Sequence, residues 1–341
     1  MTGAPTVVCV LGMHRSGTSV VAAMLERFGI YLGAPHLWLT PLPENPLGYW
    51  EHRGIKALNE ELLHRLGGSW HTLPPLPSGW ADAPALADLR ERARALLAAD
   101  FGAHLRWGWK DPRACVLLPF WAPLLPPMRY VLCVRHPHDV ARSLAARDDL
   151  PFDHAQQLWL AHHAAALAHT QAAPRVIVHY EALFTAPGSV AASLATLLDH
   201  KGPLPDLADL VDTTLRHHAA GADAAVREAQ LLAPVRSLYD ALRGPGATGS
   251  PEAWSALVET GARAMDAQLL LESERGTADW FVRHARSTTA PAVALAPTLG
   301  EPMRVSAARQ HARDYLEQRP ALGRMYRQLR RSVRRALRLG P

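Results

Sequence analysis

Val7-Val8-Cys9-Val10-Leu11-Gly12-Met13-His14-Arg15-Ser16-Gly17-Thr18-Ser19 decides how this chain is read. A β-branched apolar run enters a Gly/Ser/Thr turn, and a helical pattern follows at once in Val20-Val21-Ala22-Ala23-Met24-Leu25-Glu26. That order predicts a strand, a tight loop and a helix N-terminus. Backbone N–H groups and the positive end of the helix dipole converge there, so the loop suits an anion. The plain alternative is a tight turn that happens to be rich in Gly and Ser.

The details separate this loop from a nucleotide-hydrolase loop of the form G-x-x-x-x-G-K-[ST]. Gly12 and Gly17 keep the glycine spacing, but Thr18 stands where the lysine belongs, and the cation comes earlier as Arg15. A second apolar run, Tyr130-Val131-Leu132-Cys133-Val134, leads into Arg135 rather than into an Asp suited to Mg²⁺. Phosphate binding without ATP or GTP hydrolysis is the expectation.

After that second run comes Arg135-His136-Pro137-His138-Asp139-Val140-Ala141-Arg142-Ser143-Leu144. Pro137 suits the first turn of a helix, and Asp139 suits a cap or a first-turn position. Arg135 then sits at a strand's carboxyl end, where open α/β sheets bind ligands. Its guanidinium offers a fork for a phosphate, and Ser143 adds a hydroxyl about two turns along.

Together these segments resemble the sulfotransferase superfamily that uses 3′-phosphoadenosine-5′-phosphosulfate (PAPS). The His14-Arg15-Ser16-Gly17-Thr18-Ser19 loop is similar to that family's 5′-phosphosulfate loop, and Arg135 with Ser143 to its 3′-phosphate site. Trp109-Lys110-Asp111-Pro112-Arg113 resembles the Lys-Asp-Pro segment of the tyrosylprotein and bacterial branches. In those branches the lysine approaches the bridging oxygen of the transferred sulfate. Asn45-Pro46-Leu47-Gly48-Tyr49-Trp50-Glu51 resembles a segment of bacterial members, and His179-Tyr180-Glu181-Ala182-Leu183 a Tyr-Glu-x-Leu segment. The resemblance spans about residues 5 to 200. It implies a PAPS-dependent sulfotransferase that releases 3′-phosphoadenosine-5′-phosphate (PAP) and needs no metal.

The resemblance also implies roles. His14, Arg15, Ser16, Gly17, Thr18, Ser19, Arg135 and Ser143 would bind the donor, and Arg15, Lys110 and Glu51 would carry the chemistry. Lys110 would stabilise charge on the leaving phosphate oxygen. Arg113 would assist it or pair with a carboxylate such as Asp111. Glu51 is the preferred general base, because the Gly-Tyr-Trp turn before it would surround a carboxylate with aromatic walls. Glu44 and His36 are the alternatives, and Glu51 could instead cap the helix starting near Arg53. Trp50, Trp70, Trp107 and Trp109 could stack on adenine, line an acceptor pocket or simply pack under loops. His162-His163 reads as core or rim rather than as a metal site.

The expected fold class is α/β: a P-loop three-layer α/β/α arrangement around a mostly parallel sheet, with a helical C-terminal extension. Strands are expected at Trp107–Lys110, 129–134 and Arg175–His179. Helices are expected at 54–66, 84–100, 114–125, 138–147, 153–172 and 188–199. The core is read as residues 1–205 and the helical extension as 206–284. A linker rich in Ala, Pro and Thr follows at 285–303, and a basic amphipathic segment at 304–341.

A chain of 341 residues, 48% hydrophobic and 20% charged, can bury a substantial core. Its net charge of +5 is misleading: Arg324, Arg327, Arg330, Arg331, Arg334, Arg335 and Arg338 contribute seven positive charges with no acid among residues 321–341, leaving −2 for residues 1–320. A basic nucleic-acid-binding core is thereby excluded. Leu322, Met325, Leu329, Val333 and Leu337 recur at helical spacing between those arginines. The segment therefore suits an anionic membrane surface, a partner protein, or packing on its own domain. Three cysteines (Cys9, Cys115, Cys133) fit reduced thiols in a cytoplasmic protein, no leader pattern is read at the N-terminus, and no run of about 18 apolar residues appears. The acceptor is left open: a carbohydrate, lipid or secondary-metabolite hydroxyl, or an amine. A small-molecule kinase and a catalytically inactive P-loop binding protein are the rival readings.

Overall fold

The computed structural model describes residues 5–40, 48–74, 76–207, 210, 224–244 and 251–275. Glu44, Asn45–Leu47, the 285–303 linker and the 304–341 segment lie outside the described residues. The chain divides into two compact units, Met1–Gln268 and Leu269–Pro341. Of the second, only the last turns of one helix are described.

Four strands make one sheet: β1 (Thr6–Leu11), β2 (Arg106–Lys110), β3 (Met128–Val134) and β4 (Arg175–His179). Their order is β2-β1-β3-β4, and every pairing is parallel. The run Val7 to Leu11 is fully buried, as expected where helices cover both faces of a parallel sheet. Residues alternate between those faces. Val8, Val10, Val131, Cys133 and Val178 share one cluster with α1 (Thr18–Arg27) and α8 (Pro187–Leu197). The other face is covered by α4 (Ala114–Trp121), α5 (Pro137–Asp148) and α6 (Phe152–His169), with α10 (Ala233–Arg243) packed on α6. The remaining described helices are α2 (Arg53–Arg65), α3 (Ala87–Phe101), the single turn α7 (Ala182–Thr185), α9 (Ala224–Ala229) and α11 (Pro251–Arg275).

The elements follow the sequence pattern with local adjustments. Short 3-10 turns at Trp80–Asp82 and Pro84–Leu86 precede α3, so its α-helical part begins at Ala87 rather than at 84. Helix α4 gives way to a 3-10 turn at Ala122–Leu124, where Pro123 has no N–H to continue the ladder. Helix α6 ends at His169, ahead of the expected 172, with Thr170 Oγ1 donating back to Ala166 O. Helix α5 is capped by the His136 side chain, with Pro137 as its first residue. Asp139 lies in the first turn and is not the cap.

Register places the strand ends side by side. Val10 is opposite Lys110, Leu11 opposite Leu132, and Val134 opposite His179. Gly12, Asp111, Arg135 and Tyr180 therefore all emerge from one edge of the sheet. The connection from β1 runs out to β2 on one side, while β3 lies on the other. That makes the β1/β3 boundary the topological switch point, where ligands of open α/β sheets bind.

Candidate active site

The loop after β1 is held open by backbone conformation. Gly12 (φ 136°), Arg15 (φ 69°) and Gly17 (φ 85°) are all left-handed. The Gly12 N–H donates to Cys115 Sγ at 3.1 Å. Burial pushes the Cys115 thiol up to about 12, so it remains a neutral acceptor. Gly17 starts α1 with no side-chain cap, which leaves the first-turn N–H groups for an anion. Ser16 Oγ and His14 Nε2 are buried without a hydrogen-bond partner. The His14 ring packs on Trp70, with centroids 4.6 Å apart. Burial, reinforced by the nearby cations Arg113 and Arg147, holds His14 well below its usual pKa, so the ring is neutral at neutral pH. Ser19 Oγ donates to Tyr49 O at 3.3 Å, tying the loop to the segment that precedes Glu51.

The loop meets β3 through two arginines. Arg15 Nε donates to Ser143 Oγ at 2.8 Å, and Arg135 Nη1 donates to Arg15 O at 3.0 Å. The Arg135 guanidinium lies over the Tyr180 ring at 4.2 Å, and its carbonyl accepts from Trp159 Nε1 at 3.1 Å. Arg135 and Ser143 are both buried. Arg15, Arg135, Ser143 and Tyr180 thus form one contiguous group at the switch point.

A second group lies at the end of β2. Lys110 and Glu51, 2% and 4% exposed, form an ion pair at 2.6 Å. Arg113 Nη1 is 3.8 Å from Glu51 Oε2 and donates to Asp111 Oδ1 at 2.9 Å, while its Nη2 donates to Glu60 Oε1 at 3.0 Å. Asp111 also accepts from the Arg113 backbone N–H at 2.9 Å and from Asn59 Nδ2 at 3.0 Å. Asn59 Oδ1 accepts from Trp121 Nε1 at 2.7 Å. Burial raises the Asp111 pKa, but Arg113 and these donors outweigh it, so the carboxyl stays below its usual range.

The surroundings of Glu51 differ from the expected aromatic walls. Trp50 packs on Trp38 at 4.6 Å between ring centroids, and Glu51 faces Lys110 and Arg113. The side chain of His52, not that of Glu51, caps α2. Trp107 and Trp109 are core residues in a stack from Phe101 to Trp121, so only Trp50 and Trp70 of the four candidates are half-exposed. His36 is exposed in a 3-10 turn at Pro35–Leu37, and Glu44 lies outside the described residues. Asn59 went unrecognised in the sequence. Its signal is a polar residue in the apolar stripe Ile55, Leu58, Leu62, Leu63 of α2.

His162 and His163 are fully buried on α6, and each directs Nδ1 at the carbonyl four residues back (2.8 and 2.7 Å). Burial lowers both to about 4, against the opposing pull of those hydrogen bonds. The unfolded chain protonates near 6.5 and the folded one near 4, so unfolding takes up protons between those values. Stability is thus expected to fall as pH drops from about 6.5 to about 4. Urea midpoints at pH 7 and pH 5 test this: equal midpoints would refute it, and a His162→Phe variant should flatten the dependence.

A model of the sulfotransferase family matches residues 5–206. No curated protein matches the chain. Among solved structures, the chain is similar to the sulfotransferase domain from the Synechococcus PCC 7002 olefin synthase, with 18% identity over 76% of this chain and 96% of that one, at a TM-score of 0.37. It is also similar to the sulfotransferase domain from the curacin biosynthetic pathway (17% identity, 62% and 79% coverage, TM-score 0.38). A third similar structure is the sulfotransferase STF9 from Mycobacterium avium (16%, 64% and 70%, TM-score 0.39). With the family model spanning more than half of its length, the chain belongs to the sulfotransferase family.

Proposed function

We propose that this protein transfers a sulfuryl group from PAPS to a hydroxyl or amine of a small-molecule, glycan or lipid acceptor. The observation that carries this reading is the convergence, at neighbouring parallel strand ends, of the β1 loop, the Arg15–Ser143–Arg135 group and the Lys110–Glu51 pair. The loop fits a phosphorylated donor on its own features: left-handed Gly12 and Gly17, an uncapped α1, and the orphaned Ser16 Oγ. His14, Arg15, Ser16, Gly17, Thr18 and Ser19 would hold the 5′-phosphosulfate, and Arg135 with Ser143 the 3′-phosphate.

When bound, the donor supplies a sulfuryl group whose S–O bond to phosphate breaks as the bond to the acceptor atom forms, the bonding pair staying on the phosphate oxygen. Glu51 takes the acceptor's proton on a carboxylate oxygen. Lys110 places its ammonium against the leaving oxygen. Arg15 and the α1 N-terminus spread charge over the phosphate. Positioning and electrostatics therefore supply most of the rate.

The kinase reading lacks a loop lysine and an acid after β3, where Arg135 stands. The arginines of residues 321–341 suit an anionic membrane surface that would bring a lipid-linked acceptor near, and the three buried free cysteines suit the cytoplasm. Among the described residues, no helix is long and apolar enough to cross a membrane.

Calorimetry with PAP and with ATP-Mg²⁺ tests the donor. PAP should bind, and Arg135→Ala should weaken it about 10- to 100-fold through loss of a charged, buried contact. A preference for ATP-Mg²⁺ would revive the kinase, and binding of neither would favour an inactive scaffold.

A further inference from the structure

Glu51 and Lys110 neutralise each other in a buried site, yet the proposed reaction asks both to serve other partners. If Lys110 turned to the donor alone, a buried carboxylate would be left without a cation, which is strongly unfavourable. Arg113 is the cation already within reach, with Nη1 at 3.8 Å from Glu51 Oε2. Its Nε is buried and finds no hydrogen-bond partner, so its guanidinium is not saturated.

We propose that Arg113 is a positioning residue that takes over Glu51 when Lys110 turns toward the donor. Two carboxylates, Glu51 and Asp111, share two cations, Lys110 and Arg113, in the buried cluster, with Glu60 at its half-exposed rim. Once Lys110 commits to the donor, one cation must serve both buried acids. A guanidinium with five N–H donors in a plane can do so, while an ammonium presents a single nitrogen. Asp111 fixes Arg113 through the side chain and through the backbone N–H, and Asn59, held by Trp121, fixes Asp111. Those contacts aim Nη1 at the gap beside Glu51 before any ligand arrives. The roles of Glu51 and Lys110 rest on the sulfotransferase reading; the exchange of partners is a property of these residues alone.

The test is a double-mutant cycle on the full-length chain without ligand, where Lys110→Met mimics the departed lysine. Thermal melts of Lys110→Met, Arg113→Gln and the double variant are compared. The double variant should melt at least about 5 °C below the sum of the two single losses, because Glu51 then has neither cation. The coupling should vanish on a Glu51→Gln background. Additive losses, or coupling that persists with Glu51→Gln, would overturn the exchange. Should the double variant not fold, a crystal structure of Lys110→Met decides: Arg113 Nη1 should close on Glu51 Oε2 to about 3 Å, a salt-bridge contact, and an unchanged gap overturns the proposal.

A ligand readout separates exchange from a structural role. PAPS and PAP both present the phosphate oxygen that draws Lys110, so in Arg113→Gln affinity for both should fall about 10-fold. On a Glu51→Gln background, where Lys110 leaves no carboxylate behind, Arg113→Gln should leave both level. Equal losses on the two backgrounds would overturn the proposal. If wild type binds neither nucleotide, the sulfotransferase reading fails, and the ligand-free cycle still decides on the exchange.

Discussion

Lys110→Ala is expected to lower turnover about 10²- to 10³-fold, the usual cost of removing one pre-aimed donor from a developing negative charge, or about 3–4 kcal/mol of transition-state stabilisation. Strand pairing puts Lys110 opposite Val10, two residues before the loop begins, and burial keeps its ammonium out of water. A charge held there acts at reduced dielectric, and once Lys110 has turned to the donor it needs no further reorganisation as the leaving oxygen develops charge. PAP keeps the leaving oxygen, now fully charged, so its affinity should fall as well, but only by about 10-fold, the worth of one charged contact. The fold should survive, since Arg113 remains beside Glu51. Steady-state rates with an acceptor found by screening phenol, sugar and lipid hydroxyls, set beside calorimetric PAP binding, give both numbers. Turnover within 10-fold of wild type would remove Lys110 from the chemistry. A loss of PAP affinity as large as the loss of turnover would recast it as a binding residue.

Gly12→Ala is expected to cost at least about 3 kcal/mol of stability, a large fraction of what a domain possesses. Two penalties coincide. The backbone at Gly12 has φ 136°, a region that L side chains rarely enter. A Cβ there would also lie 2.5 Å from Cys133 O and 3.1 Å from Cys133 Cβ. Those atoms belong to β3, a strand paired on both sides, so neither can withdraw cheaply. Relief by moving the loop would break the Gly12 N–H contact to Cys115 and shift the amides proposed to hold the donor. Urea unfolding should show a lowered midpoint at unchanged slope, together with lost PAP binding. A midpoint within the error of wild type would mean that the loop is far more pliant than its contacts suggest.

Much of the fold was legible because it is written in local pattern. The apolar run 7–11 reads as a strand in any context, Gly12 and Gly17 bracket a turn, and Pro137 starts a helix after Arg135. β4 was read to its observed ends, whereas the ends of α3, α4 and α6 shifted where 3-10 turns and side-chain-to-backbone bonds compete with α-helix. Motif order pointed to Arg15, Arg135 and Ser143, which meet at neighbouring strand ends. The surroundings of Glu51 were not legible: Gly48, Tyr49 and Trp50 suggest an apolar environment, but the Trp50 ring turns to Trp38 and the carboxylate turns to cations. Asn59 looked like one more polar residue of an amphipathic helix until its face proved to be the buried one.

By itself the sequence determined the parallel α/β class and the strand–loop–helix around Gly12 and Gly17, since each rests on periodicity and turn chemistry within a few residues, while the family was legible as a resemblance carried by short motifs in their order. Only the tertiary structure decided which charges meet. Glu51 and Lys110 are 59 positions apart, and Arg15 and Ser143 are 128 apart. Their contacts follow from the β2-β1-β3 register, which brings separate strand ends to one edge, and from competition among buried acids for the two cations there. No local pattern encodes that competition, because its outcome depends on which side chains are desolvated together.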